Sequence, residues 1–416
     1  MAAPTSDLQV VQTYQKSGLG FLNNLNCGIA TANKKFKNFQ NETANLGDTV
    51  LFDRPSRFLT QNSLAVTFKG VNQLKQELTV DKEFAVPFSF SNQDYLFNAE
   101  PYLSEFNDAA VAELGASVEA ALWDNTVLTN TYRTYYSGIT ANKIDSITSF
   151  TELASSLTNY RNFGSPNGSV KYYMPDTATP EIIGSGLNQF VTGRNEDMAN
   201  SWELGKFSRS DFYQSNMLPV HTAGTIGDDG ETMTVVSINA AGNQLTLNGV
   251  TASTATLKTG DIIEFNDSVA GQPNMRFLTY IGHRASDQKV QVRIAGDAIS
   301  DGTGQIVVDI FPSLVSDATL PEANINNAVA AGMELKCLPS HRAGLIVGGD
   351  ALYLAMPSLP DQSPFATSKD SDPETGVSMR VTKGTKFAEN EMGIVLDCIA
   401  GFSLVDDYAM RVAFPI

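Results

Sequence analysis

The apolar positions between Asn98 and Asn130 recur at three- and four-residue steps, the spacing of one apolar stripe along an α-helix. Asn98 is suited to cap the first turn, and Pro101 is tolerated only near a helix start. Polar residues such as Glu113 and Glu119 fall mostly on the other faces. The pattern therefore predicts one long helix over 98–130, with a stripe that comprises Leu103, Phe106, Ala110, Leu114, Val118 and either Ala121 or Leu122.

Before this helix, the pattern changes to a period of two residues in four segments: 49–52, 63–68, 73–80 and 83–90. In the last segment, Phe84, Val86, Phe88 and Phe90 alternate with Glu83, Ala85, Pro87 and Ser89. This alternation is typical of a strand that is buried on one face, with the proline at an edge position. We interpret 46–97 as an extended β-loop, which cannot carry its own core because two to four strands without a second layer are marginal in water.

After the long helix, the sequence predicts a helix over 147–160, a strand over 170–174 and another helix that opens at Thr179. Between 226 and 318, short alternating segments are separated by Gly, Asn and Asp turns at intervals of roughly ten residues. We interpret 226–318 as an inserted small antiparallel barrel or sandwich. The predicted strands begin at Thr232, Gln244, Ile262, Phe277 and Val290, and the predicted core comprises Val235, Leu245, Leu247, Ile262, Phe265, Phe277, Tyr280 and Val292.

The last hundred residues return to a mixture of helix and strand. A short helix is predicted over 324–333 and a loop over 357–374. Strands are predicted over 344–347, 351–355, 377–382, 393–397 and 409–414. The fold class is therefore α+β, with a mixed body that is interrupted by a β domain.

Length and composition are those of a globular protein with two or three domains, because 416 residues are 42% hydrophobic and 18% charged. The formal net charge of −17 argues against a protein whose role is to grip nucleic acid. Residues 1–58 carry a net charge of +2 and the remainder −19, while 226–318 carry −6.

We expect a soluble, non-secreted protein, because the first residues lack the basic start and the apolar core of a signal peptide. Cys27, Cys337 and Cys398 lack metal-site spacing and are expected to be buried thiols.

Candidate chemistry is sparse. The sequence contains no GxxxxGK[ST], GxGxxG after a strand, HExxH or GxSxG motif. The three histidines, His221, His283 and His341, fall in separate segments, and structural or surface roles are expected for them. The acidic clusters are read as solvated loops, although Asp370, Asp372 and Glu374 leave open the alternative of a hard cation. Asp406 and Asp407 are expected to form a turn between two strands, and no catalytic residue, cofactor or metal is predicted.

Four stretches carry a resemblance when they are taken together and in order. They are Gln76–Phe90 running into the long helix, Leu257–Phe265 in the insertion, Leu345–Pro360, and the C-terminal set of Val377–Val381, Ile394–Cys398, Gly401 and Val412–Phe414. The chain resembles tailed-bacteriophage major capsid (coat) proteins of the Hong Kong 97-type fold, and specifically short-tailed phage coat proteins with an inserted β-barrel. The Gly348-Gly349 pair departs from the pattern, since such relatives often place a bulkier or charged residue there.

The resemblance implies an organisation. It comprises an N-terminal arm (1–45), an extended β-loop (46–97), a spine helix and peripheral domain (98–170 with 366–416), an axial domain (171–225 and 319–365) and the inserted barrel (226–318). Inter-subunit contacts are expected from the loop residues Phe52, Arg54, Arg57, Phe58 and Phe68. The spine helix is expected to use Leu103, Phe106, Leu114, Val118 and Leu122.

The resemblance also implies a function: self-assembly into hexamers and pentamers of an icosahedral shell that encloses a double-stranded DNA genome. The expected partners are a scaffolding protein, a portal and a decoration protein, with DNA held by confinement and no membrane. The expected location is the virion, after synthesis in the bacterial host cytoplasm. Two alternatives stay open. One is a phage tail or decoration structural protein, and the other is an acidic two-domain hydrolase or carbohydrate-binding protein that would need a concave polar site.

Overall fold

The computed structural model describes residues 27–34, 49–54, 56–60, 68, 75–91, 109–164, 169–184, 206–207, 209–267, 272–360, 366–371, 377–386 and 391–416. Several predictions fall outside these described residues. They concern the cap Asn98, the stripe residues Leu103 and Phe106, most of the N-terminal arm and most of the predicted strand 63–68.

The helices are α1 (Cys27–Thr31), α2 (109–130, in which Asp124–Leu128 form a π turn), α3 (Phe150–Asn162), α4 (Ala178–Gly184) and α5 (Thr225–Asp229), and Asp406–Tyr408 form a 3-10 turn. The strands are β1 (Thr49–Asp53), β2 (Lys75–Ser91), β3 (Thr134–Tyr135), β4 (Ile139–Thr140), β5 (Lys143–Ile144), β6 (Val170–Met174), β7 (Lys206–Phe207), β8 (Ser210–Gln214), β9 (Val220–His221), β10 (Thr232–Ile238), β11 (Gln244–Asn248), β12 (Thr256–Leu257), β13 (Ile262–Phe265), β14 (Arg276–Leu278), β15 (Ala285–Lys289), β16 (Gln291–Ile294), β17 (Ala298–Ile299), β18 (Gln305–Phe311), β19 (Glu334–Cys337), β20 (His341–Gly348), β21 (Leu352–Ala355), β22 (Ala366–Ser371), β23 (Ser378–Lys386), β24 (Glu391–Leu404) and β25 (Ala409–Phe414).

The chain is a strand-rich α+β protein that divides into two compact units. The first unit comprises Met1–Phe52, Lys75–Asn125 and Leu352–Ser403. The second comprises Asp53–Leu74, Thr126–Ala351 and Leu404–Ile416. This division differs from the predicted one, because 404–416 join the second unit rather than staying with the rest of 366–416.

The first unit contains a six-stranded sheet in the order β1-β2-β24-β23-β22, with β21 also paired to β24. Its longest strand, β2, runs antiparallel to β24 from Val80 opposite Gly401 to Ser91 opposite Glu391. The two strands predicted over 73–80 and 83–90 are one strand, because a register shift between Val80 and Lys82 lets the pairing continue through the polar Asp81-Lys82 step.

The predicted alternation in β2 is confirmed for the side chains that are described. Phe84, Val86 and Phe88 pack against a core formed with α2, whereas the residues between them are exposed. The expectation that 46–97 lacks a second layer is therefore wrong for β2. Strand β24 supplies its hydrogen-bonding partner, and α2 of the same chain covers its apolar face.

Helix α2 buries the predicted stripe, since Ala110, Leu114, Val118 and Leu122 all lie in the core. The prediction that Glu119 lies on a polar face is wrong, because this residue is only 1% exposed. Its carboxylate accepts hydrogen bonds from the backbone N–H groups of Gly28 (2.9 Å) and Ile29 (3.1 Å) and from Trp123 Nε1 (3.1 Å). Several donors thus replace the water that a buried carboxylate loses, and they attach α1 to α2.

The close approach of α1 explains why residue 28 is a glycine. A Cβ atom at Gly28 would lie 2.7 Å from Trp123 Cζ2 and 2.8 Å from Leu122 Cδ2. Any larger residue would move α1 away from Glu119 and break its hydrogen bonds to that carboxylate. A segment of the predicted N-terminal arm is therefore packed into the core of the first unit, with Ile29 fully buried.

The second unit contains a seven-stranded sheet in the order β3-β25-β20-β6-β8-β7, with β9 also paired to β20. Strand β25 pairs with β20 from Phe414 opposite Arg342 to Ala409 opposite Val347. Helix α3 begins at a capping box in which Ser149 and Glu152 bond to each other's backbone N–H groups. Leu153 and Leu157 of α3 pack on the sheet, as the predicted helix over 147–160 requires.

The same unit contains a closed barrel in the order β10-β11-β18-β16-β13-β19. All eight residues predicted for the barrel core are buried. The predicted boundary at residue 318 is wrong, because the barrel closes through β19 (Glu334–Cys337), which pairs with both β10 and β13. The sequence prediction also missed β18, which contributes Ile306, Val308 and Ile310 to the core.

The helix predicted over 324–333 is absent, and the segment is irregular. Asn324 accepts a hydrogen bond from the Val315 N–H and donates to the Ser313 carbonyl. Asn326 accepts from the Arg276 N–H. These side chains hold neighbouring loops, and such bonds compete with the backbone bonds of a helix.

The predicted loop over 357–374 is also wrong in part, since it contains β22.

We predict that Glu119→Gln destabilises the first unit far more than Glu113→Gln, a matched change at an exposed position of the same helix. The amide replaces one accepting oxygen by a donor that faces N–H groups, which should cost about 1–3 kcal/mol. Glu113→Gln should stay within about 0.5 kcal/mol. Chemical denaturation followed by circular dichroism measures both changes, and equal stabilities would contradict the role given to Glu119.

We also predict that the fragment 224–340 folds alone as a barrel, whereas 226–318 does not. The shorter fragment lacks β19, which leaves the edges of β10 and β13 unpaired and the core open on one side. Amide proton–nitrogen spectra should show dispersed peaks for 224–340 and collapsed peaks for 226–318. Equally dispersed spectra would mean that β19 is dispensable.

Candidate subunit-contact site

A cluster of two arginines and two aspartates connects distant parts of the second unit. Arg54 and Arg57 follow β1, and Asp406 and Asp407 form the turn between β24 and β25. Arg54 Nη2 lies 2.9 Å from Asp407 Oδ2 and also forms an ion pair with Asp406. Arg57 Nη2 lies 3.2 Å from Asp407 Oδ1. Asp406 and Asp407 therefore form a buried socket for the segment 54–60, rather than the simple turn that the sequence predicted.

Aromatic and backbone groups complete the socket. The Tyr132 hydroxyl donates to Asp407 Oδ1 (3.2 Å), and Arg57 Cζ lies 4.4 Å from the centre of the Tyr280 ring, which is a cation–π distance. Arg133 Nη2 donates to the Asp407 carbonyl (2.9 Å). Asp407 is thus held by its own unit through both its side chain and its backbone.

Burial and charge act against each other in this cluster. Burial raises the pKa of Asp406 above its usual range, Asp407 raises it further, and Arg54 lowers it. Burial by itself would lower the pKa of Arg54, but Asp406 and Asp407 raise it above its ordinary value. The two carboxylates repel each other in a site with little water, and the arginines compensate that repulsion.

A cavity of about 500 Å³ lies beside the four charged residues. Its wall comes from β18 and the loop that follows it, with Ile310, Phe311, Pro312 and Val315 on the apolar side. Asn243, Glu322 and Asn324 add polar groups. Arg54 and Arg57 therefore contact the socket through their charges and also line the adjoining cavity.

The structure places the predicted contact residues in different environments. Phe58 is 67% exposed and Phe68 is 96% exposed. Phe52 lies in β1, and its side chain is outside what the structure describes. Arg54 and Arg57 have partners within their own chain, and no local sequence pattern indicates these partners because Asp406 and Asp407 lie about 350 residues away. Contact of these five residues with another subunit stays a prediction, as does a role of Leu114, Val118 and Leu122 beyond the core.

The structure also brings together two histidines that the sequence treated separately. His221 opposes His341 in the register of β9 and β20, with ring centroids 5.4 Å apart. His221 Nε2 lies 2.7 Å from Asp261 Oδ1, and His341 Nδ1 donates to the Pro339 carbonyl (2.8 Å). All three side chains are buried, and neither cavity described in this structure reaches them. The His221–Asp261 pair therefore joins β9 to the residue before β13, and the His341 hydrogen bond joins the start of β20 to the turn that precedes it.

Burial and nearby positive charge keep His341 neutral. Burial lowers the pKa of His341 to about 3, and Arg411 contributes to the same shift. Burial likewise lowers the pKa of Arg411 to about 9, with Arg293 adding to the effect. Protonation of His341 would add a second cation beside Arg411 without water to solvate it.

Within the residues described, no group of three or more His, Cys, Asp or Glu side chains could hold a metal ion. Asp370 lies in β22, whereas Asp372 and Glu374 lie outside the described residues, so the cation alternative for this cluster stays open. No helix in the described part of the chain is long and apolar enough to span a membrane.

Comparison with known proteins gave matches among solved structures alone. No family model and no curated protein sequence matches the chain. A structure titled "Mycobacterium phage Che8" is 9% identical, with 93% of this chain and 90% of that chain covered and a TM-score of 0.46. The capsid structure of cyanophage P-SCSP1u is 11% identical, covering 90% and 85%, with a TM-score of 0.44. The capsid of Helicobacter pylori bacteriophage KHP30 is 11% identical, covering 94% and 92%, with a TM-score of 0.44.

We predict that His341 makes the second unit sensitive to acid. Because its folded pKa lies below the ordinary value of about 6.5, its contribution to stability is complete above that pH and is lost as the pH falls toward 3. Between pH 7.5 and 5.5, the wild type should lose about 1.4 kcal/mol more than His341→Gln. Urea unfolding at the two pH values measures this difference, and equal losses would show that His341 is not held neutral.

Proposed function

We propose that the chain is a major capsid protein that self-assembles into the icosahedral shell of a tailed bacteriophage and encloses its double-stranded DNA. The proposal starts from the sequence resemblance and gains support from one structural observation. Strand β2 is held along eleven residue pairs by β24, while its connection to β1 presents Phe58 and Phe68 to solvent. The base of the extended loop is fixed and its aromatic side chains are uncovered, which is what a contact with a neighbouring subunit requires.

The elements of the Hong Kong 97-type fold are proposed as follows. Helix α2 corresponds to the spine helix, β1 and β2 to the extended loop, and β23 and β24 to the peripheral sheet. The seven-stranded sheet with α3 is proposed as the axial part, which revises the expectation that α3, β3 and β25 belong to the peripheral domain, and the closed barrel is proposed as the inserted domain. The exposed Ile281 and Ile299 on the barrel are available for lateral contacts between subunits.

The charge distribution supports a container for DNA. The net charge of −17 repels phosphates, so the packaged genome would be held by confinement and remain free to move. Hexamers and pentamers made through heterologous contacts would close the shell. A scaffolding protein, a portal and a decoration protein are the further proposed partners. The proposed location is the virion, after synthesis in the host cytoplasm.

The alternatives have less support. A hydrolase or carbohydrate-binding protein needs a concave site with free polar groups, whereas the largest described cavity borders arginines and aspartates that are already paired. A tail or decoration protein could use the barrel, but it would have no need of α2 and the long β2. A structural, non-enzymatic role is therefore the function that we propose.

The test is to express the chain and to examine the purified product by negative-stain electron microscopy. Closed shells or capsomers are the expected result, and a monomer that resists assembly with and without a scaffolding protein would contradict the proposal. Deleting the loop tip, 54–70, should leave a folded subunit that makes no stable shells. That deletion also removes Arg54 and Arg57, so a finer variant is needed.

We predict that Phe58→Ser combined with Phe68→Ser abolishes stable shells and leaves the subunit folded. Both rings are exposed in the single chain, so the change should cost little subunit stability but remove apolar contact area between subunits. Val307→Ser, which changes an apolar side chain that is 54% exposed on strand β18 of the barrel, is the control for altered solubility. Circular dichroism and light scattering decide the outcome, and normal shells from the double variant would exclude the loop tip as a contact.

A further inference from the structure

A polar cleft of about 270 Å³ lies between helix α3 and strand β15 in the second unit. The helix lines it with Ser155, Thr158 and Asn159, whose three- and four-residue spacing places them on one face of α3. Strand β15 contributes Asp287 and Gln288. Every residue in the described lining carries a hydrogen-bonding side chain, so the cleft is suited to a polar ligand rather than to an apolar one.

Gln288 occupies an inward position of β15. The strand alternates, since Ser286 and Gln288 are buried whereas Asp287 between them is exposed. Ser286 Oγ donates to the Phe277 carbonyl (2.8 Å). The Gln288 side chain differs: the residue is only 5% exposed, and its Oε1 and Nε2 atoms have no hydrogen-bond partner among the described residues. A buried amide without a partner costs free energy, so a ligand that bonds to this amide recovers that cost.

The cleft offers more acceptors than donors. Asn159 Oδ1 is also buried without a partner in the described part of the chain. Ser155 and Thr158 donate their hydroxyl protons to the carbonyls of Thr151 (2.8 Å) and Ala154 (2.9 Å), so these hydroxyls are left to accept. Together with the glutamine amide, the cleft has two buried acceptors and one buried donor that are unused. A primary carboxamide is complementary, because its nitrogen donates twice and its oxygen accepts.

The charges around the cleft disfavour ionic ligands. Asp287 is the one charged residue in the described lining. Glu152 adds negative charge nearby, since burial raises the pKa of Tyr135 in the lining and the Glu152 carboxylate raises it further. Carboxylates and phosphates would therefore be repelled. An ammonium or guanidinium group cannot accept a hydrogen bond, so it would leave Gln288 Nε2 unpaired beside a positive charge.

We propose that this cleft binds the side-chain carboxamide of an asparagine or glutamine that a second polypeptide presents. Size favours a single side chain, because about 270 Å³ falls below the roughly 300–1,000 Å³ of sites for drug-sized ligands. The rim is accessible, since Ser155, Thr158 and Asp287 are exposed, so the side chain can enter while its backbone stays outside. The bound carboxamide donates to Gln288 Oε1 and Asn159 Oδ1 and accepts from Gln288 Nε2. This site does not rest on the proposed function.

The probe is N-acetyl-glutamine methylamide, which carries the carboxamide on a capped peptide unit. The corresponding glutamate, lysine and methionine compounds test an anion, a cation and an apolar chain of similar length, and glucose tests a polyol. Saturation-transfer difference NMR measures each dissociation constant on the full chain, diluted until light scattering shows a monomer. The glutamine compound should bind in the millimolar range and about tenfold more tightly than the others, because it alone satisfies all three unused groups.

Two variants and a control locate the binding. Gln288→Leu should weaken binding of the glutamine compound about tenfold, since it removes one donor and one acceptor. Asn159→Ala should weaken it about threefold. Gln244→Leu changes an exposed glutamine of the barrel, whose Nε2 donates to Asp309, and should bind the compound as the wild type does. Because the Gln288 amide has no partner in the free chain, Gln288→Leu should leave the urea midpoint of unfolding unchanged or raise it.

The opposite results are equally specific. A glutamine compound that does not bind, or that binds no tighter than the other compounds or glucose, would overturn the carboxamide site. Unchanged binding to both Gln288→Leu and Asn159→Ala would exclude this cleft as the site. A urea midpoint that falls by more than about 0.5 M in Gln288→Leu would make the amide a structural bond of the fold and overturn the proposal. A failure to form shells would contradict the proposed function alone, because every binding measurement uses the monomer.

Discussion

A buried guanidinium joins three elements of the second unit. Arg411, in the middle of β25, is fully buried and donates to the carbonyls of Val127 (3.2 Å) and Leu128 (3.1 Å) at the end of α2. It also donates to the Gly260 carbonyl (3.2 Å) in a turn of the barrel. Burying a cation costs several kcal/mol unless polar groups replace its water. The carbonyls at a helix C-terminus carry partial negative charge, and they supply that replacement here.

The groups around Arg411 are compatible with a buried positive charge at this position. His341 stays neutral in part because Arg411 is near it, and Asp261 accepts bonds from His221 and from backbone N–H groups on the same side. Gly260 must adopt a left-handed conformation (φ +92°) to present its carbonyl, and a Cβ there would lie 3.2 Å from the His221 ring. Replacement of Arg411 by an apolar residue would remove the donor that the carbonyls of Val127, Leu128 and Gly260 share, so the helix end, the sheet and the barrel turn would lose their common partner.

The sequence was informative where the pattern is local. The alternation in β2, the stripe of α2, the strand Ala409–Phe414 and the burial of the eight residues predicted for the barrel core were all predicted correctly. Glu119 was missed since its partners come from α1, about ninety residues earlier. Strand β19 was missed because four residues are too few to show a period, and the pairing of Arg54 and Arg57 with Asp406 and Asp407 is a contact that no local pattern encodes. The helix predicted over 324–333 failed because asparagine side chains bind the backbone of other loops there.

The antiparallel pairing of β2 with β24 has a consequence for how the chain is made. Strand β2 leaves the ribosome about 300 residues before β24, so at about 5–20 residues per second one of its edges waits roughly 15–60 s for the strand that pairs with it. The barrel can close before that interval ends, since β19 ends at residue 337 and β24 begins at residue 391. The second unit can therefore gain structure while the first unit is still an incomplete sheet. During synthesis, the nascent chain therefore carries a long strand with an unpaired row of backbone N–H and C=O groups until β24 is made.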